Sequence, residues 1–303
     1  MKKLLVLASI FMFQACSSNT QTVMPLDQSA DQAVINKASS SDHNPMFLDK
    51  LKMGKNYKVL DSMNKHAQKS ICGTDNKQEI NSYDGSLGQS VEFVKEHQSA
   101  VAAMEKAGTD NSAKFCSGTM ISEDLFLTAS HCVENGNATS NYLAFNFEKA
   151  KGSQTLLQQS HFKVAEVVEE GGSSTTDYAI LRIDGKPGAK FGYAKVSLTA
   201  PVEGDLLSII QHPSGKPKQV DVGHRGKYTS GVYMGYGDID TEPGSSGSGV
   251  LDAQGQVVGV HTNGGCRMSG GDNKAVMITE IAKVSKTIQA LAKSSTGKIV
   301  KKK

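Results

Sequence analysis

Tryptophan is absent from this 303-residue chain, and aromatic residues make up only 6% of it. Long apolar stretches with a helical period are few, although hydrophobic residues reach 38%. A helical bundle depends on such stretches, so their scarcity beside 30 glycines favours a turn-rich β protein. The formal net charge is only +3 and no dense basic face is visible, which excludes the usual nucleic-acid binder. No Cys-x-x-Cys pair occurs, so zinc ligation is not expected, and no calcium loop motif is legible. No metal or cofactor is implied.

The N-terminal residues read as an address. Lys2 and Lys3 precede an apolar core of ten residues, Leu4 to Phe13. That is too short to span a bilayer and the right size for a secretory signal. It runs into Gln14-Ala15-Cys16-Ser17-Ser18, a small residue then Cys, which resembles a bacterial lipoprotein cleavage site with Phe13 where Leu is usual. Residues 1–16 are therefore expected to be a signal peptide of lipoprotein type, with lipid on Cys16 as the membrane contact. No other segment is apolar and long enough to cross a membrane. An exported bacterial protein is expected, outer membrane-anchored, periplasmic or secreted.

Five cysteines occur, and with Cys16 set aside four remain: Cys72, Cys116, Cys132 and Cys266. In an oxidising compartment they are expected as disulfides, for which three pairings exist. Residues 17–70 are rich in Ser, Asn, Gln, Asp and Lys without a sustained apolar period, which predicts a tether or pro-segment. Residues 294–303 form a short basic tail, read as a solvated end.

From Cys72 onward the pattern changes. Ser86 to Lys106 carries Val91, Val94, Val101 and Met104 in Ala-rich filling and predicts a helix. Lys114–Ile121 and Leu125–Ala129 predict a hairpin turned by Ser122-Glu123-Asp124. Further short strands are expected at Tyr142–Phe147, Phe162–Val168, Tyr178–Ile183, Leu206–Ile210 and Gln219–Val222. Gly249–Leu251 and Gln256–His261 flank an Asp252-Ala253-Gln254-Gly255 turn. Ile278, Ile281, Val284, Ile288 and Leu291 recur at three or four residues, as on one face of a helix. Many short strands with Gly-rich turns imply an all-β sandwich or barrel closed by a C-terminal helix, and residues 71–293 are long enough for two packed six-stranded antiparallel barrels.

Three local contexts carry chemistry, in the order His, Asp, Ser. They are Thr128-Ala129-Ser130-His131-Cys132, Thr176-Asp177-Tyr178, and Asp240 to Ser248 around Gly244-Ser245-Ser246-Gly247. That order differs from the α/β-hydrolases and the subtilisins. A serine hydroxyl needs a base within reach, and the base needs a partner that fixes its tautomer. Ser246 is the expected nucleophile, His131 the base and Asp177 its partner. The N–H groups of Gly244 and Ser246 are the expected oxyanion donors.

These residues resemble the chymotrypsin/trypsin-like serine proteases, with Ser130 in place of the usual Ala and Ser245 where animal trypsins carry Asp. More narrowly the chain is similar to bacterial glutamyl and lysyl endopeptidases. Thr241-Glu242-Pro243-Gly244-Ser245-Ser246-Gly247-Ser248 is similar to the lysyl enzymes, and Val260-His261-Thr262-Asn263-Gly264-Gly265 to the bacillary glutamyl enzymes. Ile210-Gln211-His212-Pro213 with Pro217-Lys218-Gln219 recurs in such proteins, and Ile71 to Lys77 resembles the start of their mature domains. The resemblance implies a double-barrel fold, peptide-bond hydrolysis through an acyl-enzyme, a precursor that matures near Ile71, and protein or peptide substrates. It also implies two disulfides, Cys116–Cys132 and Cys72–Cys266.

Substrate preference divides the residues. Thr241 and His261 match positions that bind an acidic side chain in glutamyl enzymes. Asp240 lies six residues before Ser246, where trypsin places the acid that binds Lys or Arg. A charged residue before the scissile bond is expected, with acid slightly favoured, and Asp240 alternatively points away and caps a turn. His212 is expected to be structural, and His161 and His224 to lie on the surface. A monomer is expected. The alternatives are a catalytically silent surface lipoprotein that uses the fold for binding and, more weakly, an esterase.

Overall fold

The structure, a computed structural model, describes residues 70–134, 137–267 and 270–295. The signal peptide, Cys16, nearly all of the 17–70 segment and the end of the basic tail lie outside the described residues.

A two-residue strand β1 (Gln78–Glu79) and helix α1 (Val91–His97) precede the first barrel. The Ser90 hydroxyl caps α1 by accepting from the Phe93 N–H. The helix stops at His97, and a 3₁₀ turn leads straight into β2 (Val101–Glu105). This corrects the expected long helix. All five residues of β2 are buried, so the strand shows no period-two alternation, and its alanines imitate a helix.

The first barrel closes in the order β2, β3 (Lys114–Met120), β4 (Leu125–Thr128), β7 (Tyr178–Ile183), β6 (Ser160–Gly171), β5 (Tyr142–Phe145) and back to β2. The β3–β4 hairpin pairs Thr119 with Leu127 and Met120 with Phe126, as the apolar pattern requires. Leu127, Leu143, Ile180 and Leu181 on its strands are fully buried. The short helix α2 (Pro187–Phe191) follows, with Phe191 stacked on Phe145 at 4.5 Å.

The second half is one antiparallel sheet of eight strands. Its order is β1, β9 (Gln219–His224), β8 (Leu206–Gln211), β12 (Gly249–Leu251), β13 (Val257–Asn263), β14 (Asn273–Met277), β11 (Tyr233–Tyr236) and β10 (Thr229–Ser230). The six strands of the expected barrel are there, and a two-residue strand is added at each edge. The fold is the trypsin-like double-barrel layout. Leu207, Ile209, Met234, Tyr236, Val250 and Ala275 form a core of their own in this sheet.

The C-terminal helix is two pieces, α3 (Ile278–Ile281) and α4 (Lys286–Ser295). Ile278, Ile281 and Ile288 are buried, but Val284 is exposed in the connection between the pieces. The break corrects the single helix expected. Ser285 occupies the joint: its hydroxyl accepts from the Ile288 N–H at 3.0 Å and starts α4. Among the described residues no helix is long and apolar enough to cross a membrane.

Candidate active site

His131 sits in a single 3₁₀ turn, Ser130–Cys132, directly after β4. The Cys132 and Val133 N–H groups close the turn on the carbonyls of Ala129 and Ser130. Cys132 is disulfide-bonded to Cys116 on β3, which ties the histidine turn to the barrel wall. The sulfurs of Cys116 and Cys132 lie near the His131 ring, but the disulfide uses both and leaves no thiolate for a metal.

Asp177 lies one residue before β7 and is almost fully buried. Its φ of +28° is strained for a side-chain-bearing residue. The Asp177 N–H donates to the Gly172 carbonyl at 3.2 Å, which holds it in that turn. Its carboxylate accepts twice from one residue. Oδ2 takes the His131 Nδ1–H at 2.8 Å, and Oδ1 takes the His131 backbone N–H at 3.1 Å. Ring and backbone are thus fixed together, and Nε2 is left as the basic nitrogen. Glu134 links the same two loops from outside, accepting from the Ser130 hydroxyl at 3.1 Å and the Ser173 N–H at 2.5 Å.

Ser246 lies on the tight turn that leads into β12. The Ser245 N–H donates to Glu242 C=O and the Ser248 N–H to Ser245 C=O, while the buried Ser245 hydroxyl accepts from the Glu242 N–H at 3.0 Å. Ser117 on β3 grips the turn at two points. Its N–H donates to the Ser246 carbonyl at 2.9 Å and its hydroxyl to the Gly244 carbonyl at 2.8 Å. Gly247 has φ +88°, and a Cβ there would stand 2.1 Å from Thr128 Oγ1 and 2.9 Å from the Ala129 nitrogen. The serine turn therefore lies directly on the chain segment that bears His131. The Cys132 sulfur is 3.8 Å from the Ser246 carbonyl oxygen. His131 and Ser246 are not hydrogen-bonded to each other, and the Ser246 hydroxyl has no partner among the described residues.

Neither the Gly244 nor the Ser246 N–H has an acceptor among the described residues. The Pro243 carbonyl accepts from the Ser214 N–H at 2.5 Å. A trans peptide sets its N–H opposite its C=O, so this bond turns the Gly244 N–H away from Ser214. Gly244 has φ +97°, and a Cβ there would meet the His212 carbonyl at 2.7 Å. Only glycine satisfies both constraints. Ser117 and Ser214 were not legible as functional positions, because Ser214 acts through its backbone N–H and Ser117 meets the turn from a strand far away in sequence.

The pocket candidates behave differently from one another. His261 on β13 is buried, and its Nδ1 lies 2.6 Å from the Tyr236 hydroxyl. Burial foremost, then the charge of His131, pushes His261 down to about 3, with the Lys274 carbonyl opposing. Burial alone holds the Tyr236 phenol well above its ordinary range. The phenol therefore keeps its proton and His261 is neutral, the two sharing one hydrogen bond at Nδ1. The Thr241 hydroxyl is buried and has no hydrogen-bond partner among the described residues.

Asp240, by contrast, is committed elsewhere. Its Oδ1 accepts from the Cys72 N–H at 2.6 Å and its Oδ2 from the Asn76 N–H at 3.0 Å. Burial raises its carboxyl, and these two bonds oppose the rise. Asp240 therefore caps a turn of the chain, the alternative left open by the sequence. Cys72 is also disulfide-bonded to Cys266, as the resemblance implied.

His212 is fully buried and stacked near Phe147, as expected of a structural residue. His224 is exposed beside Asp238. His161 departs from expectation. It is half-buried and bridges Glu105 at 2.5 Å and Asp110 at 2.8 Å, where the buried Glu105 carboxylate also meets the Lys114 ammonium at 3.0 Å. A cleft of about 570 Å³ lined by Tyr228, Tyr233, Asn263 and Lys274 opens at the end of β13. Burial, and then the charge of Asp177, raises the Tyr233 phenol.

A closed six-stranded barrel and a second antiparallel sheet make up a trypsin-like double-barrel fold, with the His–Asp pair beside the serine turn. Residues 116–260 match the family model described as trypsin-like peptidase domain. The chain is 24% identical over 219 residues to secreted RxLR effector protein 73 of Plasmopara viticola, covering 66% of this chain and 52% of that protein. It is 26% identical over 162 residues to exfoliative toxin A of Staphylococcus aureus, covering 48% of this chain and 55% of the toxin. The chain thus spans about half the length of the curated relatives it matches. Among solved structures, a Glu endopeptidase in complex with MPD superposes with a TM-score of 0.50 at 19% identity, covering 76% of this chain and all of that one. The HtrA-type protease AlgW with decapeptide gives 0.50 at 17% identity, covering 66% and 67%. At these identities the likeness is one of fold.

Proposed function

We propose that the protein is an exported serine endopeptidase. The observation that carries this reading is His131 held through ring and backbone by Asp177, beside a turn whose Gly244 and Ser246 N–H groups are unspent. Ser246 Oγ attacks the peptide carbonyl carbon while His131 Nε2 takes its proton, and the carbonyl oxygen becomes an oxyanion. The two N–H groups stabilise that charge, each worth roughly 10²–10³ in turnover. The C–N bond then breaks, His131 gives the proton to the departing amine, and an acyl-enzyme on Ser246 remains. Water, deprotonated by His131, releases the acid. Asp177 stabilises the imidazolium in both halves.

The primary preference is for an acidic residue before the scissile bond. With the Tyr236 hydroxyl donating to Nδ1, His261 carries its hydrogen on Nε2, and this N–H and the Thr241 hydroxyl can both donate to a carboxylate, whereas Asp240, the residue that speaks for a basic substrate, already accepts from two backbone N–H groups. The secreted effector and the toxin among the relatives support export. Anchoring through lipid on Cys16 completes the proposal.

The test is fluorophosphonate labelling of the full chain, followed by digestion of a mixed peptide library read by mass spectrometry, with Ser246→Ala as control. Labelling of Ser246 and cuts after Glu or Asp are expected, with turnover lower by about 10⁶-fold in the variant. An unlabelled protein that cuts nothing means that the fold serves binding instead. Cuts after Lys or Arg overturn the acidic preference.

A further inference from the structure

The chain from Ser70 to Lys77 lies along Ile239–Glu242, the stretch that leads into the nucleophile turn. Ser70 is buried, and its carbonyl accepts from the Thr241 N–H at 3.1 Å and from Asn273 Nδ2 at 2.7 Å. Asn273 Nδ2 also donates to the Ile239 carbonyl at 2.8 Å, so one amide joins the two segments. The Asn273 Oδ1 accepts from the Gly265 and Cys266 N–H groups, which places the disulfide partner of Cys72 on the same amide. Further along, Asp240 takes the Cys72 and Asn76 N–H groups, and the Lys77 ammonium lies 3.7 Å from Glu242. Each residue from Ile239 to Glu242 therefore meets this strap or the amide that carries it.

Asp240 is itself held in place. Its N–H donates to Asp221 Oδ2 at 2.5 Å and its carbonyl accepts from Gln211 Nε2 at 2.8 Å. With the backbone fixed on one side and two N–H donors on the other, its carboxylate faces the strap. A buried carboxylate with two such donors is satisfied, and withdrawing them would leave it buried and unpaired.

We propose that Asp240 is a positioning residue: it anchors the Ser70–Lys77 strap, and the strap frames Thr241 for the substrate's acidic side chain. This deepens the reading of the primary pocket given above and rests on it. Two consequences follow. Asp240 does not select the substrate's charge directly. The N-terminus of the working enzyme also lies at or before Ser70, since cleavage between Ser70 and Ile71 would remove the carbonyl that holds the Thr241 N–H. Maturation upstream of Ser70 replaces the boundary near Ile71 expected from the sequence.

The experiment uses the full chain as exported, in three forms: wild type, Asp240→Asn, and Cys72→Ala with Cys266→Ala. Two peptides that differ only in Glu or Lys before the scissile bond are compared, with fluorophosphonate labelling rate, amide exchange at 72–77 and the mass of the recovered N-terminus. For Asp240→Asn the expected result is a KM for the Glu peptide raised about tenfold with kcat within twofold, the pattern of lost uniform binding. The labelling rate is unchanged and exchange at Cys72 and Asn76 is faster. The strap-freed disulfide variant raises KM in the same sense, and combining the changes gives less than the sum of their free-energy effects. The proposal is overturned by selective loss of Lys-peptide cleavage, by unchanged kinetics with only a lower Tm, or by an active form that begins at Ile71. A wild type that neither labels nor cuts sinks the proteolytic reading instead, and the anchor then stands or falls on the exchange of Cys72 and Asn76. Should Asp240→Asn fail to fold, the disulfide variant carries the kinetic test.

Discussion

The Tyr236 hydroxyl lies 2.6 Å from His261 Nδ1, and neither side chain reaches solvent to any useful extent. This pair decides what His261 offers a substrate. A neutral imidazole has one N–H, and a proton donated by Tyr236 to Nδ1 puts that N–H on Nε2. Tyr236→Phe removes the lock while keeping nearly all of the buried volume. The expected effect is a roughly 5–30-fold loss of kcat/KM on Glu peptides, the worth of one hydrogen bond of about 1–2 kcal/mol. Most of it falls in KM, and peptides with an uncharged residue before the scissile bond lose little. Paired kcat and KM measurements at neutral pH check it. An equal loss on both peptides means that Tyr236 supports the sheet and not the tautomer.

Stability carries a second signature, in which two buried groups work against each other with pH. His261 is pushed down to about 3 from an ordinary 6.5. Between those values the unfolded chain binds the extra proton, so this contribution is full above pH 6.5 and is lost as pH falls. Asp221 is pushed up to about 7 from an ordinary 3.8, by burial foremost, with the charge of Asp240 adding to it and Lys77 opposing. There the folded chain binds the extra proton, so stability rises as pH falls from 7 towards 4. The slopes oppose over about pH 4–6.5. Asp221→Asn is expected to leave the His261 slope exposed, and stability relative to wild type then drops steadily on acidification. His261→Gln is expected to do the reverse. Urea denaturation at half-unit pH steps reads both, and parallel curves for all three proteins would refute the assignment.

Much of this was legible beforehand, for identifiable reasons. The β3–β4 hairpin and the β12–β13 hairpin have one clear turn and contiguous apolar runs, and both appear within a residue or two of expectation. The histidine, aspartate and serine contexts are local, so their chemistry can be read from a few residues each. What failed was non-local or unpatterned. Strand β2 is buried on both faces and rich in alanine, and β14 opens with the buried polar Asn273, so neither has a strand's alternation. The direction of the Asp240 carboxylate depends on Cys72 and Asn76, 168 and 164 residues away in sequence. No spacing rule reaches that far. Ser214 acts through its main-chain N–H, and Ser117 meets the turn 127 residues away in sequence, which local side-chain identity does not report.

The two disulfides are expected to separate stability from activity. Cys72–Cys266 spans 194 residues and Cys116–Cys132 spans 16. In the chain-entropy account the longer loop contributes about 5 kcal/mol and the shorter about 3 kcal/mol, so Cys72→Ala with Cys266→Ala loses more in denaturant. Activity takes the opposite order. Cys132 adjoins His131 and its sulfur lies 3.8 Å from the Ser246 carbonyl, so freeing it loosens base and nucleophile together. Cys116→Ala with Cys132→Ala is therefore expected to lower kcat by ten-fold or more and to slow fluorophosphonate labelling in proportion. Removing Cys72–Cys266 acts mainly on KM, because that bond touches the strap and not the triad. Denaturation midpoints and labelling rates on both variants, taken at a temperature where each is folded, measure the two orders independently. If the variant with the larger stability loss also loses the most labelling, the disulfides act only through global stability and Cys132 has no special hold on the active site.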